Sequence, residues 1–120
     1  MIYVCSVYSL NKDNIGVEEH KALMHERYEF VRDWTAHKLK EGFCLFAPIA
    51  HCHDMSLNND MPRGWDFWGP LDMMYIDACD QLWVLEMPGW EHSVGVQAEI
   101  KYAKSIGKPI AYVPVMGKVA

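Results

Sequence analysis

The sequence predicts an α/β fold, with a mostly parallel sheet of four to five strands and helices on both of its faces. Two observations carry this expectation. Short apolar runs alternate with helical stretches along the whole chain. Strands joined through helices lie parallel, because the connection must cross back over the sheet in a right-handed sense. The 120 residues suit one domain, 1–120, and a hydrophobic share of 51% supplies it with a core.

The elements follow in order. Ile2 to Val7 (IYVCSV) is a buried strand, and Asn11 to Gly16 a polar turn. A long helix runs from about Val17 to Lys40, since Leu23, Phe30, Val31 and Trp34 recur on one helical face. Gly42 is placed to close it. Phe43 to Phe46 is a second apolar run, stopped by Pro48. Ala47 to Gly69 shows no periodicity, and a stretch that long predicts a functional loop or lid. Pro70 suits the first position of a short helix ending near Ala78. Gln81 to Leu85 is the third strand and Glu86 to His92 a loop. Ser93 to Ile106 is another helix, ended by Gly107, and Ile110 to Val113 is the last strand. The order is that of a Rossmann-like (flavodoxin-like) three-layer fold. Such sheets bind ligands beyond the carboxyl ends of their strands. Those ends are Ser6 to Ser9, Pro48 to His53, Glu86 to Ser93, and Pro114 onward.

Composition narrows the partners. The net charge of −5 argues against a nucleic-acid binder, which needs a basic stripe to neutralise phosphates. A single phosphate on a helix N-terminus stays compatible with it. Cys5, Cys44, Cys52 and Cys79 form no C-x-x-C pair, so they are expected as reduced thiols in a cytoplasmic protein. The first apolar run is too short to span a bilayer, and no membrane partner is expected.

Three segments together resemble the nucleoside 2-deoxyribosyltransferase superfamily. The first is Tyr3-Val4-Cys5-Ser6-Val7-Tyr8-Ser9. The second is Leu71-Asp72, then Ala78-Cys79-Asp80 and the apolar strand Gln81 to Leu85. The third and most specific is Ser93-Val94-Gly95-Val96-Gln97-Ala98-Glu99, followed by Ala103 and Gly107-Lys108-Pro109. The run Phe46-Ala47-Pro48-Ile49-Ala50-His51-Cys52-His53 is similar to one found in small bacterial and phage proteins of that superfamily.

Gly95, Val96, Glu99 and Ala103 share one helix face beside Ile100, which puts the Glu99 carboxylate against the packing surface. A charge in that position is costly unless it is used or paired. The resemblance implies that Glu99 is a nucleophile forming a covalent glycosyl intermediate. It implies that Asp72 donates a proton to the leaving base or orients it. It sets Ser93 against a 5′-phosphate, a role compatible with an ordinary helix cap. The resemblance places Tyr3, Ser6 and Tyr8 against sugar and base, with Gly95 beside them, and Tyr8 suits either stacking on a base or capping the core. His51 is expected as a substrate-facing histidine. His51, His53 and Asp54 could otherwise serve a metal, but no fourth ligand has clear spacing and the superfamily needs none. Trp65, Trp68 and Trp90 suit either an aromatic wall or core filling. Arg27 falls on the apolar face of the first helix, where it either snorkels or pairs with a carboxylate of the site.

The expected function is cleavage of the N-glycosidic bond of a nucleoside or nucleoside 5′-monophosphate, with no cofactor and no metal. Base exchange between nucleosides is the alternative within enzymes, and a silent nucleotide sensor the alternative outside them. The resemblance also implies a homodimer or a higher homo-oligomer.

Overall fold

The computed structural model describes residues 1–10, 15–62 and 64–115. Four strands form the sheet: β1 (Ile2–Cys5), β2 (Leu45–Phe46), β3 (Gln81–Glu86) and β4 (Ile110–Pro114). Four helices accompany them: α1 (Val17–Lys40), α2 (Pro48–Asn58), α3 (Trp65–Ala78) and α4 (Val94–Ser105). A 3-10 turn at Trp90–His92 leads into α4. The sheet order is β2-β1-β3-β4 and every pairing is parallel. Tyr3 lies opposite Leu82 and Cys5 opposite Val84. The helices form two groups, α1 with α2 and α3 with α4, and α4 packs on β3 and β4. This is the Rossmann-like α/β architecture the alternation predicts.

The chain leaves β1 towards β2 and then returns past β1 to β3, so its direction of travel reverses between β1 and β3. Such a reversal opens a crevice, because the segments leaving the two strands diverge to opposite sides of the sheet. The central strands are also the driest. All four residues of β1 are buried, as are Leu82, Val84 and Leu85 of β3. On α4 the buried stripe is Val96, Glu99, Ile100 and Ala103. One carboxylate therefore sits in a row otherwise made of hydrocarbon.

Three boundaries differ from expectation. β1 ends at Cys5, although Ser6 and Val7 remain buried beyond it. The expected loop from Ala47 to Gly69 is mostly helical. Pro48 opens α2 at its first turn, where a missing N–H costs nothing. The inward face of α2 carries Ile49, Cys52, His53 and Ser56, at helical spacing, while Met55 and Leu57 are exposed. A helix whose polar residues face inward has no apolar period to read. α3 begins at Trp65, so Pro70 is inside the helix. Pro70 cannot donate to the Asp66 carbonyl, but both residues are exposed, so that group faces solvent.

β2 is also shorter than expected, starting at Leu45 and not at Phe43, and the remaining ends agree with the sequence to within a residue. Gly42 and Gly107 follow α1 and α4 with φ of 103° and 74°, the left-handed closure expected of them. The turn expected over Asn11–Gly16 and the segment after Pro114 fall partly outside the described residues. No helix of the described residues is long and apolar enough to cross a membrane.

Candidate active-site cleft

A cleft of about 880 Å³ opens at the carboxyl ends of β1 and β3. β1 and the residues after it supply Tyr3, Ser6 and Tyr8. α2 supplies Cys52 and His53, α3 supplies Trp65, Trp68 and Asp72, and the start of α4 supplies Ser93, Gly95 and Glu99.

The floor is a carboxylate. Glu99 is 6% exposed. Alternation along β1 turns Tyr3 and Cys5 to the same face, towards α4. The Tyr3 hydroxyl donates to Glu99 Oε2, and the Cys5 thiol donates to Oε1 at 3.1 Å. Both carboxylate oxygens are thus held by donors from one strand. Burial pushes the Glu99 carboxyl well above its ordinary range, and the charge of Asp72 pushes it the same way. The hydrogen bonds from Tyr3 and Cys5 act against that rise, since they favour the anion. Asp72 is raised too, by burial, with hydrogen bonding to Glu99 and Tyr3 opposing it. Burial raises both carboxyls, and the contact between them raises Glu99 further while lowering Asp72. The donors from Tyr3 and Cys5 favour the Glu99 anion, whereas burial and the contact with Asp72 favour its protonated form.

The rim at α4 is a helix start. Ser93 is buried and caps α4, its Oγ accepting from the Val96 amide at 3.3 Å. Gly95 lies in the first turn, and a Cβ built on it would meet nothing within 4 Å. Its missing side chain therefore leaves open space rather than making room for a neighbour. Ser6 Oγ is buried without a hydrogen-bond partner among the described residues.

The far wall is built on histidine. Tyr8 Oη lies 2.6 Å from His53 Nδ1, and His53 Nε2 lies 3.1 Å from His25 Nδ1. Tyr28 stacks on the His53 ring, with centroids 4.0 Å apart and planes 17° from parallel. Arg27 is buried in α1 and donates from Nη1 to the Tyr8 carbonyl at 3.0 Å, which fixes the segment after β1. Burial lowers the His53 pKa, and the neighbouring His25 lowers it further.

Residues 1–115 match DUF1937, described as a domain of unknown function. The chain belongs to the DUF1937 family. No curated protein matches it.

In this DUF1937 chain the cleft gathers Glu99, Asp72, Tyr3, Ser6, Tyr8, Ser93 and Gly95, all chosen from sequence. His51 is a correction. It is exposed, with its ring 5.7 Å from Phe46, and it does not line the cleft. On a helix the positions facing one way are 49, 52, 53 and 56, so His53 takes the inward place and His51 points elsewhere. The same geometry separates His51 from His53 as metal ligands. Among the described residues no group of three or more His, Cys, Asp or Glu side chains is placed to hold a metal ion. Trp65 and Trp68 line the cleft, whereas Trp90 packs beside Tyr112 instead.

Sequence reasoning missed Cys5 as a partner of Glu99 and His25 as a partner of His53. Cys5 was within reach of a pattern argument, because it shares a strand face with Tyr3. His25 was not, since nothing local pairs position 25 with position 53. Lys108 of the Gly-Lys-Pro run serves the scaffold. Its Nζ donates to the Cys79 and Asp77 carbonyls at 2.7 and 3.1 Å, capping the end of α3.

Proposed function

We propose that this protein hydrolyses the N-glycosidic bond of a nucleoside or nucleoside 5′-monophosphate, with Glu99 as nucleophile. The observation that carries the reading is the buried Glu99 carboxylate in the cleft, gripped on both oxygens by Tyr3 and Cys5 and coupled to Asp72. Two neighbouring carboxyls, one to attack and one to carry a proton, are the equipment for two-step displacement at an anomeric carbon.

In the first step the Glu99 carboxylate bonds to the anomeric carbon as the bond to the base nitrogen breaks. The electron pair leaves on that nitrogen, and the Asp72 proton moves to it. In the second step water attacks the same carbon, the Asp72 carboxylate takes the water's proton, and the Glu99 carboxylate leaves. The sum is sugar plus free base, with both side chains restored. Tyr3 and Cys5 hold the nucleophile in one orientation and stabilise its charge in a dry site. Ser93 and the α4 amides offer donors to a 5′-phosphate.

Incubation with a 2-fluoro-2-deoxynucleoside tests the mechanism, and intact mass should show a glycosyl adduct that maps to Glu99. Base release from a panel of nucleosides and monophosphates should vanish in Glu99→Ala while the far-UV spectrum is unchanged. A folded Glu99→Ala protein that still releases base would sink the mechanism.

A further inference from the structure

The sheet ends at β4 with one edge open. β4 pairs on one side with β3, residue for residue and without a bulge, and among the described residues nothing pairs with its other side. An edge strand is a template for another strand, and natural edges are commonly blunted by charges, bulges or proline. Ile110, Ala111, Tyr112 and Val113 carry no charge, so nothing along the strand repels a copy of itself. Ala111 and Tyr112 are exposed, Tyr112 to 43%.

The ladder fixes which backbone groups point outward. The Leu82 amide donates to the Pro109 carbonyl. Alternate residues of a paired strand turn their N–H and C=O the same way, so Ala111 and Val113 follow Pro109 towards β3. Ile110 and Tyr112 therefore turn both groups outward, and Pro114 turns out a carbonyl with no N–H beside it. This pattern matches itself when a second strand runs antiparallel with Tyr112 opposite Tyr112. The two Tyr112 residues then exchange both hydrogen bonds, and each Ile110 N–H meets the Pro114 carbonyl of the other copy. Pro114 has no N–H to return, which stops the ladder at that end. Charge favours the same direction. Lys104 and Lys108 lie at the Ile110 end, where Asp80 is already paired with the Met1 amine. Glu86 pairs with Pro114 at the other end, and Glu91 follows in the turn after β3. Antiparallel pairing sets the basic end of each copy against the acidic end of the other.

We propose that the open edge of β4 is where two copies of this chain join, antiparallel about a twofold axis at Tyr112, so that their sheets continue into one another. The register Cys5–Val84–Tyr112 puts Tyr112 on the sheet face turned to α4. Trp90 lies beside it there, with ring centroids 5.6 Å apart. The two Tyr112 rings meet on that face with a Trp90 ring on either side, and aromatic pairs across antiparallel strands are favourable. A twofold contact is closed, so it yields dimers and not fibres. The inference stands apart from the glycosidase reading, since it concerns the free protein.

Light scattering of the wild type at micromolar concentration should give twice the 13.9 kDa of one chain. Cysteine scanning then tests the register. Opposite residues of a hydrogen-bonded antiparallel pair have Cα atoms about 5.5 Å apart, within disulfide reach. Mild oxidation of Tyr112→Cys should therefore give a dimer linked from 112 to 112, located by peptide mass. Ala111→Cys should not link to its own copy at 111, because position 111 faces position 113 and its twin lies about 8 Å away. Tyr112→Lys sets like charges opposite each other and should weaken dimerisation about tenfold, with an unchanged far-UV spectrum. A monomeric wild type overturns the proposal, whether the edge is covered by later residues of the same chain or left for another protein. So does a dimer that forms no link through position 112, or a folded Tyr112→Lys that dimerises as tightly as the wild type.

Discussion

The two walls of the cleft answer burial in opposite ways. On the β1–α4 side, burial raises two carboxyls, Glu99 and Asp72. On the α1–α2 side, burial lowers a histidine, His53. Both shifts favour the neutral form, because a low-dielectric setting penalises any unpaired charge. What differs is the compensation. Glu99 receives donors from a strand, so one negative charge can be kept at the floor. His53 is bonded to the Tyr8 hydroxyl and to the His25 ring, with no carboxylate among its hydrogen-bond partners in the described residues. One cleft thus holds a buried carboxyl pair on one side and a buried imidazole on the other.

Glu99→Gln breaks the comparison most severely. Base release should fall on the order of 10⁴-fold, the scale of losing a nucleophile. Stability should move the other way. The folded pKa of Glu99 lies above the unfolded value of 4.5, so the folded state binds the proton more tightly. The stability this gives is present in acid and is lost as pH rises from the unfolded value through the folded one. Glu99→Gln, which does not titrate, should therefore gain on the wild type as pH rises from about 4 to 8. Thermal unfolding at several pH values measures it, and parallel melting curves for the two proteins would contradict the raised carboxyl.

Tyr3→Phe removes one donor from the carboxylate. A hydrogen bond to a charged group is worth about 1.5–3 kcal/mol, so kcat should drop about 10- to 100-fold. Cys5→Ala should cost less, within about tenfold, because a thiol is a weak donor. Steady-state kinetics on the pair ranks them, and an equal loss in both would mean that packing rather than hydrogen bonding is being measured.

On the other wall, His53→Ala removes a buried ring that packs on Tyr28 and bonds to Tyr8 and His25, and should destabilise the protein by about 0.5–3 kcal/mol. Met55→Gln, on the exposed side of the same helix, should stay within about 0.5 kcal/mol of wild type. Urea unfolding compares them directly. If Met55 proves the costlier of the two, α2 is held by its apolar residues and not by its inward polar face.

The smallest effect sharpens the rim. Gly95→Ala meets no neighbour, and alanine suits a helix better than glycine by up to about 1 kcal/mol, so stability should hold or rise slightly. Ligand affinity should fall, since the methyl group enters space that lines the cleft. Calorimetric binding of a nucleoside monophosphate that is unchanged in Gly95→Ala would place the ligand away from this turn.

The sequence by itself determined the order of the four strands with α1, α3 and α4, the parallel sheet, and the inward place of Glu99; Asp72 came from the resemblance. β1 is a continuous apolar run, α4 repeats its inward face every third or fourth residue, and Glu99 falls within that repeat. Only the tertiary structure decided the other wall. The cleft-facing residues of α2 include Ile49, Cys52, His53, Ser56 and Leu57, with Met55 exposed, so hydrophobicity finds no clear period there and gives His51 and His53 equal standing. The pairing of His25 with His53 joins two helices 28 positions apart, through a contact that no local pattern encodes. Periodicity reports which face of an element leaves water. Which buried polar group meets which is settled only when the elements pack, because a hydrogen bond depends on the position of both partners and a sequence period constrains one of them at a time.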